Sequence, residues 1–228
     1  SDVVREPAPV KWDSTQVPIS KVVLGFRHGL CLSEDGQVLS WGKNDAGQLG
    51  DGTRNSRPAL ARVQLDEACI AIGAGLNHSA ALTTDGRLFV WGKMRDSASK
   101  KPSTVSRDLP DVYGDALLPR PVPGNRYKAV ACSSFHCVVL DEDGQVFCMG
   151  LERGSRKMVH APRQVRLPPG VRVVSIRNGV DAVALLGDDG VTYAPDLSPG
   201  LSCGCEVREE DAVTDVVFGW RHAVAIAA

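Results

Sequence analysis

An all-β fold is what this 228-residue sequence predicts, and three observations predict it. One pattern recurs along the chain, each copy is made of short runs rich in apolar and branched residues, and each copy turns at an Asp-Gly pair. The pattern reads GFRHGLCLSEDGQVLSWG at 25–42, GLNHSAALTTDGRLFVWG at 75–92 and SSFHCVVLDEDGQVFCMG at 133–150. A more divergent copy, GVDAVALLGDDGVTYAPD, covers 179–196, and GWRHAVAIAA from Gly219 begins a fifth. The copies align without gaps on Asp35, Asp85, Asp143 and Asp189, roughly every fifty residues, which is the spacing of a blade or solenoid unit.

Each unit resolves into four strands. The first is an apolar run ahead of the copy, as in KVVLG from Lys21, ACIAIG from Ala68, YKAVA from Tyr127, VRVVSI from Val171 and VTDVVFG from Val213. The second and third flank the Asp-Gly turn, where glycine accepts a positive φ that side chains resist. The fourth is marked by proline, in RPALARVQL from Arg57 and APRQVRL from Ala161, and proline is tolerated at an outer edge. Four strands at this period make a propeller blade. The expected architecture is therefore a β-propeller of four full blades plus a partial or composite blade, in a single domain over 1–228 with an insertion loop at 93–126.

These residues resemble the regulator-of-chromosome-condensation repeat family, whose unit is similar to AIGAGLNHSAALTTDGRLFVWG followed by a loop such as KNDAGQLGDG at 43–52. The resemblance covers about residues 8–228 and is strongest in the first two copies. It implies a propeller that normally closes with seven blades, more than this chain supplies. Two arrangements satisfy the leftover strands. Residues 8–12 could join 213–228 in a composite fifth blade, or the propeller could be incomplete and covered by other sequence. The stop at Ala228, where an Asp-Gly turn should follow, favours the incomplete form.

Composition narrows the function. A net charge of −1 gives no global attraction to nucleic acid or to an anionic membrane. No apolar run approaches the length of a membrane span. Seven cysteines, an odd number without framework spacing, point to a reducing, intracellular compartment, cytoplasm or nucleus, with an organelle and a cleaved targeting segment left open. No P-loop is present. Cys203 and Cys205, or Cys132 with His136, lack the paired Cys-x-x-Cys units of a zinc site, so neither metal nor cofactor is expected.

The recurring histidines, His28, His78, His136 and His222, are expected to brace neighbouring strands by hydrogen bonds, because a feature present in nearly every blade serves what every blade must do and buried polar groups must be paired. A nucleophilic role for Ser79 beside His78 fails, since adjacent strand residues point to opposite faces. Function is expected where the repeats differ, at the corner between the first and second strands. The candidate partner-binding residues there are Phe26, Arg27, Asn77, Phe135, Asp181, Trp220 and Arg221. Aromatics and arginine are what interface anchors favour, although Phe26, Phe135 and Trp220 could instead plug the channel. Charge is also uneven: 151–172 is basic and 181–215 acidic, a polarity suited to orienting a charged partner. The expected function is a non-enzymatic protein-interaction scaffold, a subunit of a larger assembly. The alternative, implied by the resemblance, is a guanine-nucleotide exchange factor for a small GTPase.

Overall fold

A computed structural model of the chain describes residues 18–94, 116–151, 158–179, 183–193, 213–218 and 223–227. Every regular element among them is a β-strand. The first blade is β1 (Ile19–Leu24), β2 (His28–Ser33), β3 (Val38–Gly42) and β4 (Arg57–Arg62), hydrogen-bonded in that order. The second is β5 (Cys69–Ala74), β6 (His78–Thr83), β7 (Leu88–Gly92) and β8 (Ala116–Pro121). The third is β9 (Tyr127–Cys132), β10 (His136–Asp141), β11 (Val146–Leu151) and β12 (Met158–Gln164). Three described strands form the fourth, β13 (Val173–Asn178), β14 (Val183–Gly187) and β15 (Thr192–Tyr193), and two the fifth, β16 (Val213–Phe218) and β17 (Ala223–Ala227).

The register confirms the alignment of the copies: His28 pairs with Gly42, His78 with Gly92 and His136 with Gly150. Within the stretch 93–126, expected to be a loop, Ala116–Pro121 is instead the outer strand of the second blade, pairing Phe89 with Pro121 and Gly92 with Ala116. The expected segment at 8–12 lies outside the described residues.

The Asp-Gly turns do two jobs. Gly36, Gly86, Gly144 and Gly190 have φ between 77° and 84°, the region a β-carbon disfavours. In the first two turns a hydroxyl holds the aspartate, Ser33 Oγ to Asp35 and Thr83 Oγ1 to Asp85, each at 2.5 Å, which keeps both carboxyls below their usual range. The glycine carbonyl then accepts from the opening strand of the next blade: Cys69 N to Gly36 O at 2.8 Å, Tyr127 N to Gly86 O at 2.9 Å, Val173 N to Gly144 O at 3.0 Å. Turn and blade-to-blade register are thus one device.

Three apolar clusters lie between successive blades. Leu30, Leu32 and Val38 of the first meet Ile72, Ala74 and Trp91 of the second. Leu82, Leu88 and Val90 of the second meet Val130, Cys132 and Val139 of the third. Val138, Leu140 and Val146 of the third meet Val173, Ile176 and Leu185 of the fourth. Burial of aliphatic side chains at such faces, about 1.5–3 kcal/mol each, holds the stack together.

Candidate functional site

The corner between the first two strands of each blade starts at a tight turn in which Gly25 N donates to His28 O and Gly75 N to His78 O, both at 2.9 Å, and Ser133 N to His136 O at 3.0 Å. Glycine is required at 25 and 75 by close approach. A β-carbon at either position would overlap the histidine ring of its own blade and a backbone carbonyl of the next, Gly75 O or Ser133 O. Corners are also tied to one another, with Phe26 N donating to Gly75 O at 3.3 Å and Leu76 N to Ser134 O at 3.1 Å.

His28, His78 and His136 lie beneath this layer, all buried. His28 Nε2 and Ser79 Oγ of the next blade are 2.9 Å apart, and Ser79 donates to the Gln48 carbonyl at 2.8 Å. A hydroxyl has one proton to donate, so Ser79 accepts from His28, which is neutral with its proton on Nε2. Trp91 Nε1 donates to the same Gln48 carbonyl at 2.9 Å. The loop that supplies Gln48 is itself fixed, with Leu49 N donating to Asn44 Oδ1 at 2.9 Å and Arg57 paired with Asp51. Burial, then the His78 charge, lowers the His28 pKa to about 4.

His78 differs. It is fully buried, and neither ring nitrogen has a hydrogen-bond partner. The residue at the place of Ser79 in the next blade is Cys137, whose sulfur lies 3.6 Å from that of Cys132. Burial lowers His78 to about 4. The expectation that the histidines brace strands by hydrogen bonds therefore holds for His28 and fails for His78, which is only packed; His222 lies outside the described residues.

Above the histidines the corners gather around one cavity of 330 Å³, lined by Leu24 to Phe26, Ala74 to Leu76, Cys132 to Ser134, and Gly179. Its lining is chiefly apolar side chain and backbone. At the rim Phe26 is 64% exposed, and the Arg27 guanidinium lies 5.4 Å from its ring centroid. Asn77 and Phe135 are half-buried at the equivalent corners. Backbone ties extend outward from the rim, Lys43 N to Arg27 O at 2.8 Å and Lys93 N to Asn77 O at 2.7 Å. Lys43 also pairs with Asp45 at 2.7 Å, which lowers that carboxyl.

Of the sequence-predicted residues, Phe26 lines the cavity directly, and Arg27, Asn77 and Phe135 adjoin lining residues at the same corners. Asp181, Trp220 and Arg221 lie outside the described residues. Phe26 is largely exposed at the rim of this cavity. Sequence reasoning missed Leu24, which reads as core in KVVLG yet lines the cavity and is largely exposed. Lys21 is exposed on the inner strand of the first blade, where partial desolvation and the nearby Arg177 charge lower its pKa. Among the described residues no three His, Cys, Asp or Glu side chains gather to hold a metal ion, and no helix is long and apolar enough to cross a membrane.

Comparison with known proteins places this geometry. A family model described as the regulator of chromosome condensation (RCC1) repeat matches residues 35–82, and a second model of the same description matches 19–48, 69–97 and 127–153. The chain is 24% identical to the ultraviolet-B receptor UVR8 of Arabidopsis thaliana, over 94% of this chain and 53% of that protein. It is 35% identical to the human regulator of chromosome condensation, over 55% of this chain and 29% of that protein. The crystal structure of human WBSCR16 superposes with a TM-score of 0.76 at 21% identity, covering 96% of this chain and 60% of that one. Prp20p of Saccharomyces cerevisiae, a protein studied for its binding to Gsp1p and histones, superposes with a TM-score of 0.50 at 20% identity, covering 92% of this chain and 69% of that one. The chain spans about half the length, or less, of these curated relatives.

Proposed function

The chain belongs to the regulator-of-chromosome-condensation repeat family, and from that premise we propose that it is a non-enzymatic interaction propeller that grips a protein partner at the corner end of its channel. The observation that carries this reading is the Phe26–Arg27 pair, an aromatic ring and a guanidinium held together in solvent at the rim of an apolar cavity. Such a pair supplies both apolar area and charge to a partner surface. The cavity beside it accepts an apolar side chain.

The test is affinity purification of the tagged chain from its native cells, with quantitative mass spectrometry, beside a Phe26→Ala, Arg27→Ala double variant. Loss of a true anchor costs about 2 kcal/mol or more, so a specific partner should fall by over tenfold in the variant. Equal recovery by a folded variant rejects the corner face. The exchange-factor reading has a separate readout, release of fluorescent GDP from a small GTPase such as Gsp1p. Acceleration by this chain would replace the scaffold reading.

A further inference from the structure

The ladder between the first two strands of each blade ends at one pair of residues, and that pair differs from copy to copy. It holds Leu24 and Gly29 in the first blade, Ala74 and Ser79 in the second, Cys132 and Cys137 in the third, Asn178 and Val183 in the fourth, and Phe218 and Ala223 in the fifth. The fold therefore asks for cysteine at neither position, yet the third blade has one at both. Ser133 N donates to His136 O at 3.0 Å, so 132 and 137 are the adjoining non-hydrogen-bonded pair, whose side chains share one face and approach most closely. Both are thiols, 1% and 0% exposed, with their sulfurs 3.6 Å apart. The α-carbons of such a pair stand about 4.5 Å apart, within the span that a disulfide bridges. A β-carbon on Gly73 of the second blade would come within 2.7 Å of the Cys132 sulfur, so glycine there leaves that sulfur its room.

We propose that Cys132 and Cys137 are an oxidation site, a dithiol that hydrogen peroxide entering through the corner cavity converts to a disulfide. Cys132 lines that cavity, whereas Cys137 lies wholly buried beside it. Contact with Cys132, then burial, holds the Cys137 thiol well above its usual range, so Cys132 reacts first. Its sulfur attacks one peroxide oxygen, the O–O bond breaks, and the leaving hydroxide takes the Cys132 proton as water. The Cys132 sulfenic acid is then attacked by the Cys137 sulfur; the S–O bond breaks and the hydroxyl leaves with the Cys137 proton as a second water. The two thiols have lost two electrons and the peroxide has gained them. The bridge closes over Ser133 to His136 and staples the third corner, where the Ser134 carbonyl already accepts from Leu76 N at 3.1 Å. The reaction needs no protein at the corner, so it stands or falls separately from the function proposed above.

The test treats the folded 228-residue chain with hydrogen peroxide, blocks remaining thiols with N-ethylmaleimide, and digests it with chymotrypsin. Cleavage after Phe135 separates the two cysteines, so their peptides should stay joined, lighter by two hydrogens, and dithiothreitol should part them. The oxidised chain should melt at or above the temperature of the reduced one, because the bridge joins residues already in register. Cys137→Ser should stop the reaction at the Cys132 sulfenic acid, captured as a dimedone adduct. The proposal is overturned if both cysteines are recovered alkylated on separate peptides, or if either bridges to a different cysteine. It is equally overturned if the oxidised chain melts below the reduced one, or if a folded Cys137→Ser chain gives no adduct at Cys132.

Discussion

His28 and His78 occupy the same place in successive blades, yet only His28 reaches a hydroxyl. Between the first and second blades the histidine, Ser79, the Gln48 carbonyl and the Trp91 indole form one buried polar network. Between the second and third blades the corresponding space holds an unpartnered imidazole and two thiols in contact. Both interfaces carry comparable apolar clusters. Apolar packing is therefore sufficient to stack two blades, and the polar network adds definition to the first interface. Its origin is the loop at 43–52, which has no counterpart among the described residues after β7.

Acid should produce the largest effect and act on both interfaces. In the native state His28 and His78 stay neutral down to about pH 4, whereas in the unfolded chain they protonate near 6.5. The unfolded state thus binds more protons between those values. Stability is full above pH 6.5 and declines toward pH 4, by about 3 kcal/mol for each histidine. Urea denaturation across that range checks the slope, and a His78→Gln variant should remove about half of it.

Trp91→Ala should break the first interface alone. It deletes the largest fully buried side chain among the described residues and its bond to Gln48, for a loss of about 3–5 kcal/mol in urea denaturation. Ser79→Ala makes the first interface resemble the second by depriving His28 of its acceptor. A loss of about 1–2 kcal/mol is expected, measured the same way. Cys137→Ser attempts the reverse by offering His78 a hydroxyl. We expect a gain of about 0.5–1 kcal/mol, and a loss as large as that of Ser79→Ala would mean that the two interfaces are not equivalent in register.

The repeat was readable because its signals are local. The Asp-Gly turns at 35, 85, 143 and 189 and the apolar runs around them point to strands without knowledge of the fold, and the structure places strands there. The outer strand at 116–121 was hidden by the polar stretch before it, and Pro119 and Pro121 read as loop although β7 holds them in register. The unequal histidines were hidden for a different reason. Cys137 is visible at the place of Ser79, but which blade His78 faces depends on packing between sheets. Leu24 misled similarly, since an apolar run on an inner strand looks like core until the face it presents is known. At the corners, non-repetition marked Phe26 and Arg27, while the cavity beside them emerges only when four corners converge.

The glycine-turn carbonyls at 36, 86 and 144 each accept an N–H from roughly thirty to forty residues downstream. Each of these three interfaces is consequently closed over a similar, short span of chain. Loop-closure entropy grows slowly with span and contacts of this kind keep folding fast, so assembly can grow blade upon blade from a single nucleus. The pair of blades joined by Gln48 is the natural seed.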